Sequence, residues 1–162
     1  MPEIIVIAHN IRSTHNVGAI FRTAEGFGVS KIIISGYTPY PSLPADTRLP
    51  HIAEKLTGQI HKTALGAESI VPFEYQETPA ITELKELGYR IVALEQAQRS
   101  IPLPQYQSPQ KIALLLGEEV HGIEDSLLAT CDDVIEIPMS GKKESFNVSV
   151  ATGIALYHLS LL

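Results

Sequence analysis

The chain has 162 residues, 44% hydrophobic and 19% charged, with 11 Gly, 11 Pro, one Cys and a formal net charge of −6. This length and apolar content fit one soluble domain with its own core; they exclude a disordered or collagenous chain, and no apolar run is long enough to span a bilayer. The single thiol, Cys131, has no partner, and six His without a Cys cluster give no zinc spacing, so neither a disulfide nor a metal site is expected.

In chain order, Met1 to Ile7 lacks a basic leader and a cleavage site and reads as the first element of a cytoplasmic protein. Short β-branched runs recur at Ile4–Ile7, Ile32–Ile34, Ile91–Leu94, Ile112–Leu116 and Val134–Ile137. Such runs are the mark of strands buried on both faces, as in a parallel sheet covered by helices. Helices are expected over Val17–Phe27 after an Asn16 cap, over 80–87 after Pro79, over 123–131 after Gly122, and over 147–161. The alternation predicts an α/β fold with a mostly parallel sheet flanked by helices, residues 1–162 forming one domain. The proline-rich stretches 37–44 and 101–109 read as surface loops within it.

Two features concern partners. Residues 9–62 hold six Lys/Arg against three acids, a local charge of +3 that leaves −9 elsewhere, so an acidic body carries a basic third suited to phosphate. The last helix is apolar on more than one face, through Val148, Val150, Ile154, Leu156, Leu159 and Leu161, which fits either a subunit interface or a central core helix.

Three polar, glycine-containing segments fall at strand ends or helix starts, where α/β folds bind ligands: Asn10 to Ala24, Leu114 to Ile123 and Ile137 to Gly153. None is a dinucleotide fingerprint, a phosphate loop or a nucleophile elbow. Taken singly, the glycines could serve only turns and close packing.

Together these segments resemble the signature of the SpoU-type, TrmH-like RNA ribose 2′-O-methyltransferases of the SPOUT superfamily. The Asn-x-Gly-x-x-x-Arg motif matches Asn16, Gly18 and Arg22; Gly-x-Glu-x-x-Gly matches Gly117, Glu119 and Gly122. The third motif matches Ile137 to Ala151, with Phe146 in place of the usual Leu. The resemblance implies S-adenosylmethionine as cofactor, a C-terminal trefoil knot, and a homodimer with catalytic groups from both subunits. It implies a structured RNA substrate, with tRNA expected before rRNA, and no metal or membrane. A domain without appended RNA-binding equipment would use its own basic face, a dimer-spanning surface or an accessory protein.

On this resemblance the catalytic set is Arg22, Asn16, Glu119, Ser145 and Asn147. The cofactor set is Leu94, Glu95, Leu116, Gly117, Ile137, Met139, Ser145, Phe146 and Asn147. Chemically, a guanidinium that stays charged suits clamping a phosphate better than acting as a base, the alternative for Arg22 being a surface ion pair with Glu25 or Glu119. Asn16, Ser145 and Asn147 are also natural helix caps. His15, His121, Lys142 and Lys143 are weaker candidates for contact with RNA. Two rival readings remain: a non-catalytic RNA-binding or assembly module of the same fold, and a base methyltransferase.

Overall fold

The computed structural model describes residues 1–161. Among the described residues, seven strands form one sheet: β1 (Glu3–His9), β2 (Lys31–Ser35), β3 (Phe73–Gln76), β4 (Arg90–Leu94), β5 (Ile101–Pro102), β6 (Lys111–Leu116) and β7 (Asp133–Glu136). Their order is β3-β2-β1-β6-β4-β7-β5, and every pairing is parallel. The helices are α1 (Thr14–Gly26), α2 (Pro50–Ala64), α3 (Ile81–Glu86), α4 (Asp125–Leu128) and α5 (Val148–Ser160).

The period-2 geometry of a strand explains the unbroken apolar runs. In β1, Ile4, Val6 and Ala8 enter a core with Phe21, Ile60, Leu156 and Leu159 of α1, α2 and α5. Ile5 and Ile7 point the other way, into a core with Leu84 of α3 and Ile123 and Cys131 around α4. Both faces of the central strands are therefore dry, as expected of a parallel sheet. Burial pushes the Cys131 thiol up, in keeping with a small core hydrophobe.

Several elements differ from the sequence-based expectation. The first helix begins at Thr14, and its cap is Ser13, whose hydroxyl accepts from the Asn16 amide N–H at 3.2 Å. Asn16 thus lies inside the first turn with its side chain free for other work. The helix α2 was not expected, and neither were the edge strands β3 and β5; β5 falls inside the stretch 101–109 read as a loop. The last strand stops at Glu136, leaving Ile137 in the following loop.

Gly18 sets the contact between α1 and α2. A Cβ there would collide with the Thr63 hydroxyl and the Ile60 carbonyl, so the motif glycine has a packing reason of its own. No helix among the described residues is long and apolar enough to cross a membrane.

Candidate functional site

Because the strands are parallel, the C-terminal ends of β4, β6 and β7 open onto one edge, and the loops that follow them enclose a cavity of about 540 Å³. That volume lies within the range of small-molecule sites. Its apolar walls are Leu94, Leu116, Ile137, Met139, Phe146 and Val148. Its acidic groups are Glu95, Glu118, Glu119, Asp125, Glu136 and Glu144, and among the described residues no Lys or Arg lines it. The cavity suits a ligand with an apolar ring system and positive charge, and disfavours phosphate.

The loops are tied to one another. The Glu95 carboxylate accepts from the backbone N–H of Ile123 at 3.0 Å and of Gln96 at 2.8 Å. Gly122 faces that carboxylate with φ +69°, where a side chain would be strained and would also strike Glu95. Glu118 folds the turn internally: its carbonyl accepts from Gly122 N–H at 2.7 Å and its carboxylate from His121 N–H at 3.2 Å. A Cβ on Gly117 would collide with the Ile123 side chain. Gln96 donates to the Glu144 carbonyl at 2.7 Å, joining the loop after β4 to the loop before α5.

At the rim, Asn16 donates its side-chain amide to Glu119, and its amide oxygen accepts from Asn147 Nδ2 at 3.2 Å. The Asn147 oxygen accepts from Ser149 N–H at 2.9 Å and caps α5. One chain of hydrogen bonds thus connects the first turn of α1, the loop after β6 and the first turn of α5. Each amide has its orientation fixed by its neighbours.

The candidate cofactor residues Leu94, Glu95, Leu116, Gly117, Ile137, Met139, Ser145 and Phe146 all line the cavity, whereas Asn147 stands outside its lining at the rim. Of the candidate catalytic residues, Asn16, Glu119 and Asn147 are brought together, and Ser145 lies on the cavity wall. Arg22 is not brought to them: it is exposed and lies six residues beyond Asn16 on α1, about 9 Å along the axis and about 120° around it. No ion pair of Arg22 with Glu25 or Glu119 occurs among the described residues. Gln96, Asp125, Glu136 and Glu144 also line the cavity without having been singled out. No spacing pattern marks them, because their contacts follow only from where three separate loops meet.

A second polar cluster anchors the far end of the loop after β6. His9 is buried, with Nδ1 at 2.9 Å from Ser35 Oγ and Nε2 at 2.9 Å from Glu124. The order Ser, His, carboxylate is that of a nucleophilic triad, but Ser35 is fully buried and beyond the reach of a substrate, so the cluster is structural. Burial tends to raise the Glu124 carboxyl, yet hydrogen bonds from His9 and a backbone N–H hold it below its usual range. Among the described residues no group of three or more His, Cys, Asp or Glu side chains is placed to hold a metal ion.

Comparison with known proteins agrees with this architecture. A family model described as the SpoU rRNA Methylase family matches residues 3–157. The chain is 34% identical over 158 residues to the 23S rRNA (guanosine-2′-O-)-methyltransferase RlmB of Nitrosomonas europaea, covering 96% of this chain and 55% of that protein. It is 32% identical over 157 residues to the tRNA (guanosine(18)-2′-O)-methyltransferase of Aquifex aeolicus, covering 96% of this chain and 67% of that one. Among solved structures, an AdoMet-bound rRNA methyltransferase from Sinorhizobium meliloti superposes with a TM-score of 0.80 at 25% identity, covering 99% of this chain and 57% of that one. The chain therefore spans little more than half of several of the relatives it matches. With a family match over nearly its whole length and three signature segments gathered at one sheet edge, the chain belongs to the SpoU rRNA methylase family.

Proposed function

We propose that this chain transfers a methyl group from S-adenosylmethionine to a ribose 2′-hydroxyl of structured RNA, with ribosomal RNA the first candidate and transfer RNA the second. The observation that carries this reading is the acidic, adenosine-sized cavity whose rim holds the Asn16, Glu119 and Asn147 chain. The relatives described above are named for guanosine 2′-O-methylation, which favours ribose over base as acceptor, and the relative at 34% identity is named for 23S rRNA. The expectation of tRNA before rRNA has no such support, so the order is reversed.

The residues present fit the cofactor. Leu94, Leu116, Ile137, Met139 and Phe146 offer an apolar slot for adenine, and strand-end backbone groups beside them supply polar contacts. The six carboxylates complement a sulfonium and an ammonium. When bound, S-adenosylmethionine supplies a methyl carbon on a sulfonium sulfur that leaves as a neutral thioether. The protein's own task is placement: the rim amides and Glu119 hold the target ribose over the cavity. The guanidinium of Arg22 grips the phosphate next to that ribose and stabilises the negative charge that builds on the 2′-oxygen; the hydroxyl proton passes to bulk solvent as the oxygen–methyl bond forms and the methyl–sulfur bond breaks.

Arg22 reaches the rim from a second copy of the chain in this reading. Val150, Ile154 and Tyr157 of α5 are exposed and share an apolar groove with Ala19, Thr23 and Phe27 of α1. On α1, Ala19 of this groove lies three residues, about one turn, from both Asn16 and Arg22. A partner seated in the groove would bring its own α1 against this one, which supports a homodimer with shared sites. The placement of β7 between β4 and β5, strands that adjoin in sequence, supports the knotted passage the family implies.

The test is incubation of the purified protein with methyl-labelled S-adenosylmethionine and RNA lacking its native modifications, followed by nucleoside analysis. A labelled 2′-O-methylnucleoside in the rRNA fraction is the expected result; label in tRNA would change the substrate, and a labelled base would overturn the ribose assignment. Cofactor binding without transfer to either RNA would favour a non-catalytic module.

A further inference from the structure

From the groove between the β2–α2 connection and the start of α1, we infer that Arg12 and Tyr37 form a subsite for an unstacked nucleotide neighbouring the target, the base lying on the Tyr37 ring and the phosphate on Arg12. This rests on RNA being the substrate. The groove has a volume of about 610 Å³ and includes Arg12, Ser13, Tyr37, Tyr40, Arg48 and Gln59 in its lining.

Its two tyrosines differ in availability. Tyr40 has both ring faces covered, Tyr75 stacking on one at 4.3 Å and the Arg48 guanidinium lying 3.6 Å from its centroid. The charge of Arg48 is likewise engaged, by Asp46 and by the carbonyls of Tyr40 and Pro41. Tyr37, in contrast, is 52% exposed, and among the described residues the cation near its ring is Arg12, 5.8 Å from the centroid. Arg12 is itself exposed and in no ion pair among the described residues. A free guanidinium beside an open aromatic face is the pairing that single-stranded nucleic acid selects, the ring taking any base and the cation the backbone.

The platform is rigid. Tyr37 N–H donates to Asn10 Oδ1 at 3.1 Å, and Thr38 is buried, its hydroxyl donating to the Ala8 carbonyl at 3.0 Å and accepting from Ile11 N–H at 2.9 Å. These bonds fix the base of the ring to the ends of β1 and β2, so little order is lost when a base stacks. Position completes the argument. Arg12 precedes the Ser13 cap of α1 and lies four residues before Asn16, at most about 14 Å of extended chain away, so a strand with its target ribose at the rim can place a neighbouring nucleotide over this groove. The acidic cavity disfavours phosphate, whereas this groove at the start of α1 is lined by Arg12, Tyr37, Tyr40 and Arg48.

The experiment measures binding of a fluorescein-labelled single-stranded oligoadenylate of about 12 nucleotides across a salt series, with S-adenosylmethionine affinity and methyl transfer to unmodified RNA measured on the same proteins. Tyr37→Ala is expected to weaken oligonucleotide binding about 5- to 100-fold, and Tyr37→Phe to stay within about twofold, since stacking needs the ring and not the hydroxyl. Arg12→Gln is expected to reduce the log-affinity slope against log-salt by about 0.7, the loss of one phosphate contact to a single strand. Cofactor affinity is expected to be unchanged in all three. If Tyr37→Ala and Arg12→Gln bind the oligonucleotide as well as the parent, or if the parent binds none, the subsite is overturned. Methyl transfer by the parent then still stands or falls by itself: RNA methylation with an indifferent Tyr37→Ala sinks the subsite alone, and Tyr37-dependent RNA binding without any methylation sinks the methyltransferase reading alone.

Discussion

The side-chain amide of Asn16 donates to the carboxylate of Glu119, across 103 residues of sequence, and so locks the first turn of α1 to the loop that closes the cavity. Asn16→Ala and Glu119→Ala are each expected to lower methyl transfer by at least about 100-fold, the scale of removing one preorganised polar contact. Their effects should not multiply, because each variant breaks the same bond. Turnover of the two singles and the double variant checks this; a double loss equal to the product of the singles would show that the residues act separately.

Arg22→Ala is expected to abolish transfer while assembly and cofactor affinity are retained, since its side chain lies outside the cavity and away from the core. Arg22→Lys should restore only a small part, because an ammonium cannot make the bidentate phosphate contact. Sedimentation, cofactor titration and turnover separate the three properties. Near-normal turnover in Arg22→Ala would remove it from the reaction.

Glycines 18 and 117 make different demands. Gly18→Ala forces apart α1 and α2 at the Ile60 carbonyl and is expected to cost about 1–3 kcal/mol of stability, seen as a lower urea midpoint with unchanged slope. Gly117→Val acts on the loop instead, pushing Ile123 from its place, and should weaken cofactor binding in a folded protein. Unchanged cofactor affinity would move the ligand out of this cavity.

The pH dependence of stability should show two limbs with identified sources. The Arg90 guanidinium, followed by the Tyr106 hydroxyl donating at 2.8 Å, holds the Asp133 carboxyl below its usual range. An unfolded Asp titrates near about 3.9, so this contribution is present above that pH and is lost as pH falls through the lower native value. Asp133→Asn should flatten the acid limb of a urea series. Burial, and then donation to Glu3, push the Tyr89 hydroxyl up to about 12. Its contribution is present below about pH 10 and is lost as pH rises toward the native value, so Tyr89→Phe should flatten the alkaline limb. An unaltered limb in either variant would assign it to other groups.

The sequence made the inner strands legible because burial on both faces leaves no polar residue to interrupt Ile4–Ile7 or Ile112–Leu116. Edge and surface elements gave no such signal. All four residues of β3 are only partly buried, and β5 has two residues, one of them Pro102. In α2 the fully buried positions are Ala53, Ile60 and Ala64, too few and too small to set a helical period against His51, Glu54, Lys55 and Lys62. The site was legible through its motif loops, which put Asn16 and Glu119 in one catalytic set, but the helix cap was not: a cap at Ser13 and a cap at Asn16 read alike in sequence, and only the fold shows that Ser13 takes the cap and leaves the asparagine side chain to Glu119. Nor could spacing reveal that Gln96 meets Glu144, because that bond exists only after β4 and the segment before α5 have been laid side by side.

The strand β7 lies between two strands that are made before it, and the cavity draws its walls from segments as far apart as Leu94 and Ala151. During synthesis, therefore, β4 and β5 emerge from the ribosome with the space between them still to be filled. No nascent chain that stops before Ala151 can assemble the complete pocket. The cavity is thus completed in one late step, with the seating of β7 and α5.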